Sequence, residues 1–231
     1  MFINWKITNV IFERKNFTKL KSNQLFNFIN YYMKKIILSA VTLMFLVSAA
    51  QAQLSYGIKG GVNFPKLSAS ALGTSTQSKA STSFYLTGYL DAQIANNLSV
   101  QPGISLQGKG GKSNNEDEKS KFDLMYIEVP VNLVYYVPAG SGNLFLGAGP
   151  YAGFGISAKI KEGKTSTKGE FGKAEDELNR FDAGANFLLG YKLENGFLIN
   201  GGYSLGLTNI TNTSVLNLKN RVFSVGVGFQ F

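Results

Sequence analysis

Apolar residues recur at every second position through eight successive runs, and no other feature of the sequence restricts the fold so tightly. Side chains two apart share one face of an extended strand, so each run reads as a strand with an apolar face and a small or polar one. The runs are 54–64, 83–93, 98–108, 122–137, 143–157, 180–193, 196–208 and 220–231. In 122–137, Met125, Ile127, Val129, Val131, Leu133 and Tyr135 alternate with Tyr126, Glu128 and Asn132. In 143–157, Leu144, Leu146, Ala148, Ala152, Phe154 and Ile156 alternate with Gly147, Gly149, Gly153 and Gly155. Every run is about ten residues or longer, the length with which a tilted strand crosses a bilayer.

The connections alternate too. Residues 95–97, 138–142 and 194–196 are short and carry the Asn, Gly and Pro of hairpin turns. Residues 65–82, 109–121, 158–179 and 209–219 are long and polar. Short turns on one side and long loops on the other are the layout of an outer-membrane barrel, with turns in the periplasm and loops outside. Unpaired strand edges in lipid cost several kcal/mol per group, so such a sheet must close. The expected fold is all-β: an eight-stranded antiparallel up-and-down transmembrane β-barrel. Eight strands leave a lumen only wide enough for side chains, so it is expected to be filled and polar.

Charge decides which face looks outward. Lys59, Asp91, Glu128, Asp182 and Lys192 fall on the small or polar parity. Facing lipid at midplane, a lysine costs about 2–4 kcal/mol and a carboxylate somewhat less. Inside, the five could form structural ion pairs, a plug rather than a solute path. Tyr56, Phe64, Phe84, Tyr135, Phe181, Tyr191 and Phe197 stand at run ends, as an interfacial aromatic girdle would. The opposite arrangement, a soluble periplasmic lipocalin-like ligand-binding barrel, would turn the apolar parity inward.

Residues 33–52, MKKIILSAVTLMFLVSAAQA, read as a signal peptide: a basic start, a short apolar stretch and Ala50-Gln51-Ala52 before a cut between Ala52 and Gln53. Met33 is then the expected initiator and 1–32 a mis-called extension, which leaves 53–231 as the barrel domain. The formal charge of +9 is concentrated in this leader. Seven of the 23 Lys and Arg but only one of the 14 acidic residues lie in 1–52, leaving 16 basic against 13 acidic in the rest. That balance argues against nucleic acid as a partner.

The chain contains neither His nor Cys. The commonest general base, the paired nucleophiles that depend on it, thiolate metal sites and a lipoprotein anchor are therefore absent. No cofactor or metal is expected, and no catalytic constellation of the kind a membrane-embedded acylase or protease uses is visible. GKGGKS (108–113) ends like a phosphate-binding loop but has Leu106 where the first Gly belongs, and reads as a solvated loop. Gly147-x-Gly149 lacks its third Gly, since position 152 is Ala. Glu116-Asp117-Glu118 and Glu175-Asp176-Glu177 read as solvated mixed-charge loop segments rather than cation sites.

YIEVPVNLVYYVP (126–138), NLFLGAGPYAGFGI (143–156) and RFDAGANFLLGYKLENGFLINGGYSLGL (180–207) resemble the PorT-type outer-membrane β-barrel family of Bacteroidetes. The resemblance covers 54–231, with Ile127-Glu128-Val129-Pro130 and the Gly-Pro-Tyr-x-Gly stretch at 149–153 its most specific parts. It implies an outer-membrane location. The family takes its name from a member required for secretion and maturation of surface proteases, and it supplies no catalytic residues to carry over. The closing stretch NRVFSVGVGFQF, ending in Phe231, resembles the signal read by the barrel-assembly machinery. Expected partners are outer-membrane lipids, lipopolysaccharide, that machinery and envelope or secretion proteins. The expected role is structural, surface-interacting or secretion-supporting and not catalytic, with a small-solute channel or the soluble barrel as alternatives.

Overall fold

The computed structural model describes residues 54–71, 74–113, 120–162, 165–172, 177–213 and 216–231. These form ten strands: β1 (Leu54–Ala71), β2 (Thr74–Gln77), β3 (Ser83–Ala95), β4 (Leu98–Lys112), β5 (Ser120–Ala139), β6 (Gly142–Glu162), β7 (Thr165–Gly169), β8 (Phe181–Leu193), β9 (Phe197–Gly206) and β10 (Asn217–Gln230). The expected leader, 1–32 and 33–52, and the cleavage point at Ala52 and Gln53 lie outside the described residues.

Eight long antiparallel strands follow the order β1-β3-β4-β5-β6-β8-β9-β10, and β10 pairs back with β1. The sheet is thus a closed ring. The closing ladder runs from Gly57 opposite Gln230 to Ser70 opposite Asn217, so no edge is left along it. The three short turns each place one residue in the left-handed region: Asn97 (φ 63°), Gly140 (φ 59°) and Gly196 (φ 89°). Asn and Gly tolerate that conformation where most residues do not, and it matches the twist of the flanking strands.

The ring strands overrun the expected boundaries at the far end. β1 continues to Ala71, β4 to Lys112 and β6 to Glu162, and β2 and β7 fold back onto β1 and β6. These segments had the polarity of loops. A ladder needs only backbone pairing, and where both faces meet water no apolar period marks it.

Alternation sorts the side chains. Ile58, Leu86, Ile127, Phe154, Phe187, Ile199 and Phe223 all point outward and are exposed, as are Tyr56, Phe64, Phe84, Tyr135, Phe181 and Phe197 of the expected girdle. Tyr191 is half-buried, and its hydroxyl donates to the Ala139 carbonyl at 2.7 Å. The apolar parity faces outward, which overturns the lipocalin-like alternative: a continuous apolar exterior is a surface for lipid, not water. Glycines on the inner parity make room for rings. A Cβ at Gly57 would meet the Tyr89 ring at 2.5 Å, and one at Gly155 would meet the Phe171 ring at 2.5 Å.

Candidate functional site

The interior is built in layers. Near the turns, β3, β5, β6 and β9 contribute Tyr89, Val134, Phe145 and Leu198 to one apolar cluster, with Tyr136 packed against it. Beside it lies a polar knot. The Asp91 carboxylate accepts from Gln101 Nε2 at 2.6 Å and from the Tyr136 hydroxyl, and Gln101 Nε2 also lies 2.9 Å from that hydroxyl. Lys192 Nζ sits 4.7 Å from the Tyr136 ring centroid, and Lys59 Nζ sits 5.2 Å from that of Tyr89.

The middle is held by neutral groups, some bonding between paired strands and others between strands that are not neighbours. Thr87 and Ser105 share a 2.5 Å hydrogen bond. Asn63 Nδ2 donates to Gln107 Oε1 at 2.8 Å, Asn200 Nδ2 to the Tyr85 hydroxyl at 2.7 Å, and Ser204 Oγ to Asn186 Oδ1 at 2.7 Å.

Toward the loops stands a buried charge cluster. Lys109 from β4 forms an ion pair with Glu128 from β5 and another, at 2.9 Å, with Asp182 from β8. All three are at most 1% exposed. Asp182 also accepts from Asn220 Nδ2 (2.9 Å), Thr208 Oγ1 (2.9 Å) and the Tyr151 hydroxyl (3.4 Å). The Lys109 ammonium lies 4.2 Å from the Tyr151 ring centroid and 5.3 Å from that of Tyr126. Above the cluster, Leu67, Leu124, Tyr126, Ala158 and Ile210 form a second apolar core, with Phe122, Phe171, Leu178 and Leu218 against it.

All five residues expected to pair inside face inward, but none forms an ion pair with another of the five. Glu128 and Asp182 converge on Lys109. Among the described residues, Lys59, Asp91 and Lys192 form no ion pair with any of the five; the two cations lie over aromatic rings and Asp91 is held by hydrogen bonds. Lys109 was read as part of a solvated loop, GKGGKS, and the structure corrects that reading: 108–112 is the end of β4. A signal for it exists. Ser99, Gln101, Ser105 and Gln107 define the inward parity of this strand, and the same parity extended by two reaches Lys109. Phe231 is exposed, stacks on Tyr56 at 5.1 Å and donates its backbone N–H to the Tyr56 carbonyl at 2.8 Å. Glu116-Asp117-Glu118 and Glu175-Asp176 lie outside the described residues.

In chemical terms the Lys109 ammonium, engaged by two carboxylates and two aromatic faces, has no lone pair to offer as base or nucleophile. The arrangement fixes strands to one another across the ring.

A family model described as outer membrane protein beta-barrel domain matches residues 49–212. Among solved structures, the chain is similar to Ail, the attachment invasion locus protein of Yersinia pestis, at 16% identity, covering 77% of this chain and 98% of that one with a TM-score of 0.41. It is similar to Neisserial surface protein A at 15% identity, covering 76% and 97%, TM-score 0.41. It is also similar to the N-terminal β-barrel domain of Pseudomonas aeruginosa OprF at 10% identity, covering 78% and 100%, TM-score 0.38. No curated protein matches the chain.

Proposed function

We propose a role for this chain as a member of the outer membrane protein beta-barrel domain family, to which it belongs by the match over residues 49–212 and which places it in the outer membrane. The ring is an eight-stranded transmembrane barrel with its three short turns in the periplasm and its long connections outside. It is a plugged barrel without turnover, and its function lies in its surface: structural support of the envelope, contact through its outer loops, or support of secretion. The resemblance of 126–138, 143–156 and 180–207 to PorT-type barrels favours the last of these. Assembly through β10 and its closing Phe231, and contact with lipopolysaccharide, belong to the same reading.

One observation carries it. The interior is occupied from end to end, by the Tyr89 cluster near the turns, the Lys109–Glu128–Asp182 cluster beyond it and the Leu67–Ile210 core at the loops. A lumen so filled has no room for a solute.

The test is planar-bilayer conductance of the purified protein, with boiled and unboiled gel mobility as the check that it is folded. A heat-dependent mobility shift without conductance steps is expected. Steady, reproducible steps from folded protein would replace the plug with a channel. For secretion, deleting the gene should leave surface proteins accumulating in the periplasm; an unchanged surface proteome would remove that branch.

A further inference from the structure

We propose that Lys159, Lys168 and Arg180 form a binding site for the phosphate of an outer-leaflet glycolipid, on the outer wall of the ring where the apolar belt ends. The inference rests on the reading that the long connections face outward.

Ionisable side chains are distributed unevenly along the outside of the ring. In the sequence the loop-side stretches carry thirteen Lys and Arg besides Lys109 against nine acids, Glu116, Asp117, Glu118, Glu175 and Asp176 among them. The turn end carries Glu194 alone. An anionic leaflet surface favours each nearby cation by about 1 kcal/mol, so this asymmetry suits a phosphate-bearing outer leaflet.

Within that rim two facing pairs of cations have no ion pair among the described residues, Lys66 opposite Arg221 and Lys159 opposite Lys168, and only the second borders a cavity that a third cation, Arg180, also lines. Lys159 on β6 stands directly opposite Lys168 on β7, and both are exposed. Like charges facing each other across a ladder destabilise it. The neighbouring pair shows how the chain otherwise handles this: Lys121 stands opposite Lys161, and Asp123 bridges them at 2.6 and 3.2 Å. Asp123 is also opposite Lys159, yet its carboxylate is engaged by the other two. Lys159 and Lys168 form no ion pair among the described residues, and neither does Glu170 nearby.

Between them opens a cavity of about 430 Å³, lined by Ser157, Lys159, Lys168, Glu170, Phe171 and Arg180 among others. Arg180 is already positioned. Its Nη2 donates to the Phe171 carbonyl at 2.9 Å, and its guanidinium lies 5.4 Å from the Phe154 ring centroid. Its remaining N–H groups, the two ammonium groups and the Ser157 hydroxyl supply donors for a phosphate. Below the cavity, Phe154, Ile156 and Phe181 are exposed on the lipid face. Donors above and an apolar wall below fit a phosphate that carries acyl chains better than a free ion.

The experiment is native mass spectrometry of the purified full-length protein in detergent, titrated with bisphosphorylated lipid A. One retained lipid is expected, with retention at least about tenfold weaker in K159Q/K168Q/R180Q. A control of equal charge loss elsewhere on the rim, K66Q/K112Q/K219Q, should bind as wild type, and dephosphorylated lipid A should not be retained. Equal loss in the control, equal binding by the triple variant, retention of dephosphorylated lipid, or saturation by inorganic phosphate alone would each overturn the site. Heat-dependent mobility certifies folding; should the triple variant fail that check, K159Q/K168Q takes its place. Because the chain has no Cys, maleimide labelling of T167C on intact cells reports separately whether the loops face outward. Binding in detergent does not depend on that orientation, so the two failures are distinct.

Discussion

The two ends of the interior treat a buried lysine differently. Near the turns, Lys59 and Lys192 are only half-buried, and each ammonium rests over a tyrosine ring with no carboxylate at ion-pair distance among the described residues. Near the loops, Lys109 is fully withdrawn and holds two carboxylates. Both side chains keep some exposure, and the aromatic face beneath each ammonium contributes about 0.5–1 kcal/mol. Full desolvation of an ammonium costs several kcal/mol, which only close opposite charge and additional hydrogen bonds offset. The depth of a cation in the ring thus sets what it must touch.

The sharpest way to break this contrast is Lys109→Met. It strands Glu128 and Asp182 as buried carboxylates without their cation, and an expected loss of about 3–5 kcal/mol should appear in urea unfolding of the protein folded into lipid vesicles. The triple variant K109M/E128Q/D182N should recover most of that loss. Wild-type stability in K109M would mean that the cluster is not what holds the loop end together.

Next in size is Gly155→Val. The Phe171 ring lies where its side chain would go, and Phe171 packs on Tyr126 at a centroid distance of 5.9 Å in the loop-end core. Displacing it should cost about 1–3 kcal/mol, read in the same unfolding experiment. It should also raise protease cleavage in the loops, since Arg180 holds the backbone carbonyl of the same residue, Phe171. Unchanged cleavage would show that the core tolerates the shift.

The same two ends differ in how much of them the sequence disclosed. At the turn end, short Asn and Gly turns and alternation lead to the correct strands and faces, apart from a register shift between Gln93 and Ala95 that leaves Ala92 buried and Gln93, expected inside, exposed. At the loop end the signal fades for physical reasons. β4 and β6 run on into water, where no apolar period marks a strand, and glycine-rich GKGGK looks like a turn although it is ladder. A register shift between Met125 and Tyr126 adds a second obstacle: Gly155 and Ala158 both face in while Ile156 and Ser157 intervene, so a strict period of two loses the inner face of β6 there. Glu128 and Asp182 were legible as inward-facing acids because they lie within clean alternation. Their partner was not, because pairing across a ring depends on strand stagger, which alternation within a single strand does not encode.

At the turn end, Tyr136→Phe removes the hydroxyl that Asp91 and Gln101 share, and a loss of about 1–2 kcal/mol is expected. Unfolding free energy unchanged within error would mean that Asp91 finds an equivalent donor.

The smallest effect is expected at Lys59. Met in its place keeps an unbranched chain of similar reach over the Tyr89 ring, and it removes an ammonium that has no carboxylate to leave behind. The lost cation–π contact and the relieved desolvation oppose each other, so stability should move by less than about 1 kcal/mol in either direction. A double variant, K59M/K109M, separates the two ends: if depth alone governs the requirement for a counterion, its loss equals that of K109M within about 0.5 kcal/mol, as expected for sites that share no partner. A larger combined loss would mean that the lysines are coupled through the hydrogen-bonded middle of the ring, and the interior would then be one network rather than two ends with separate rules.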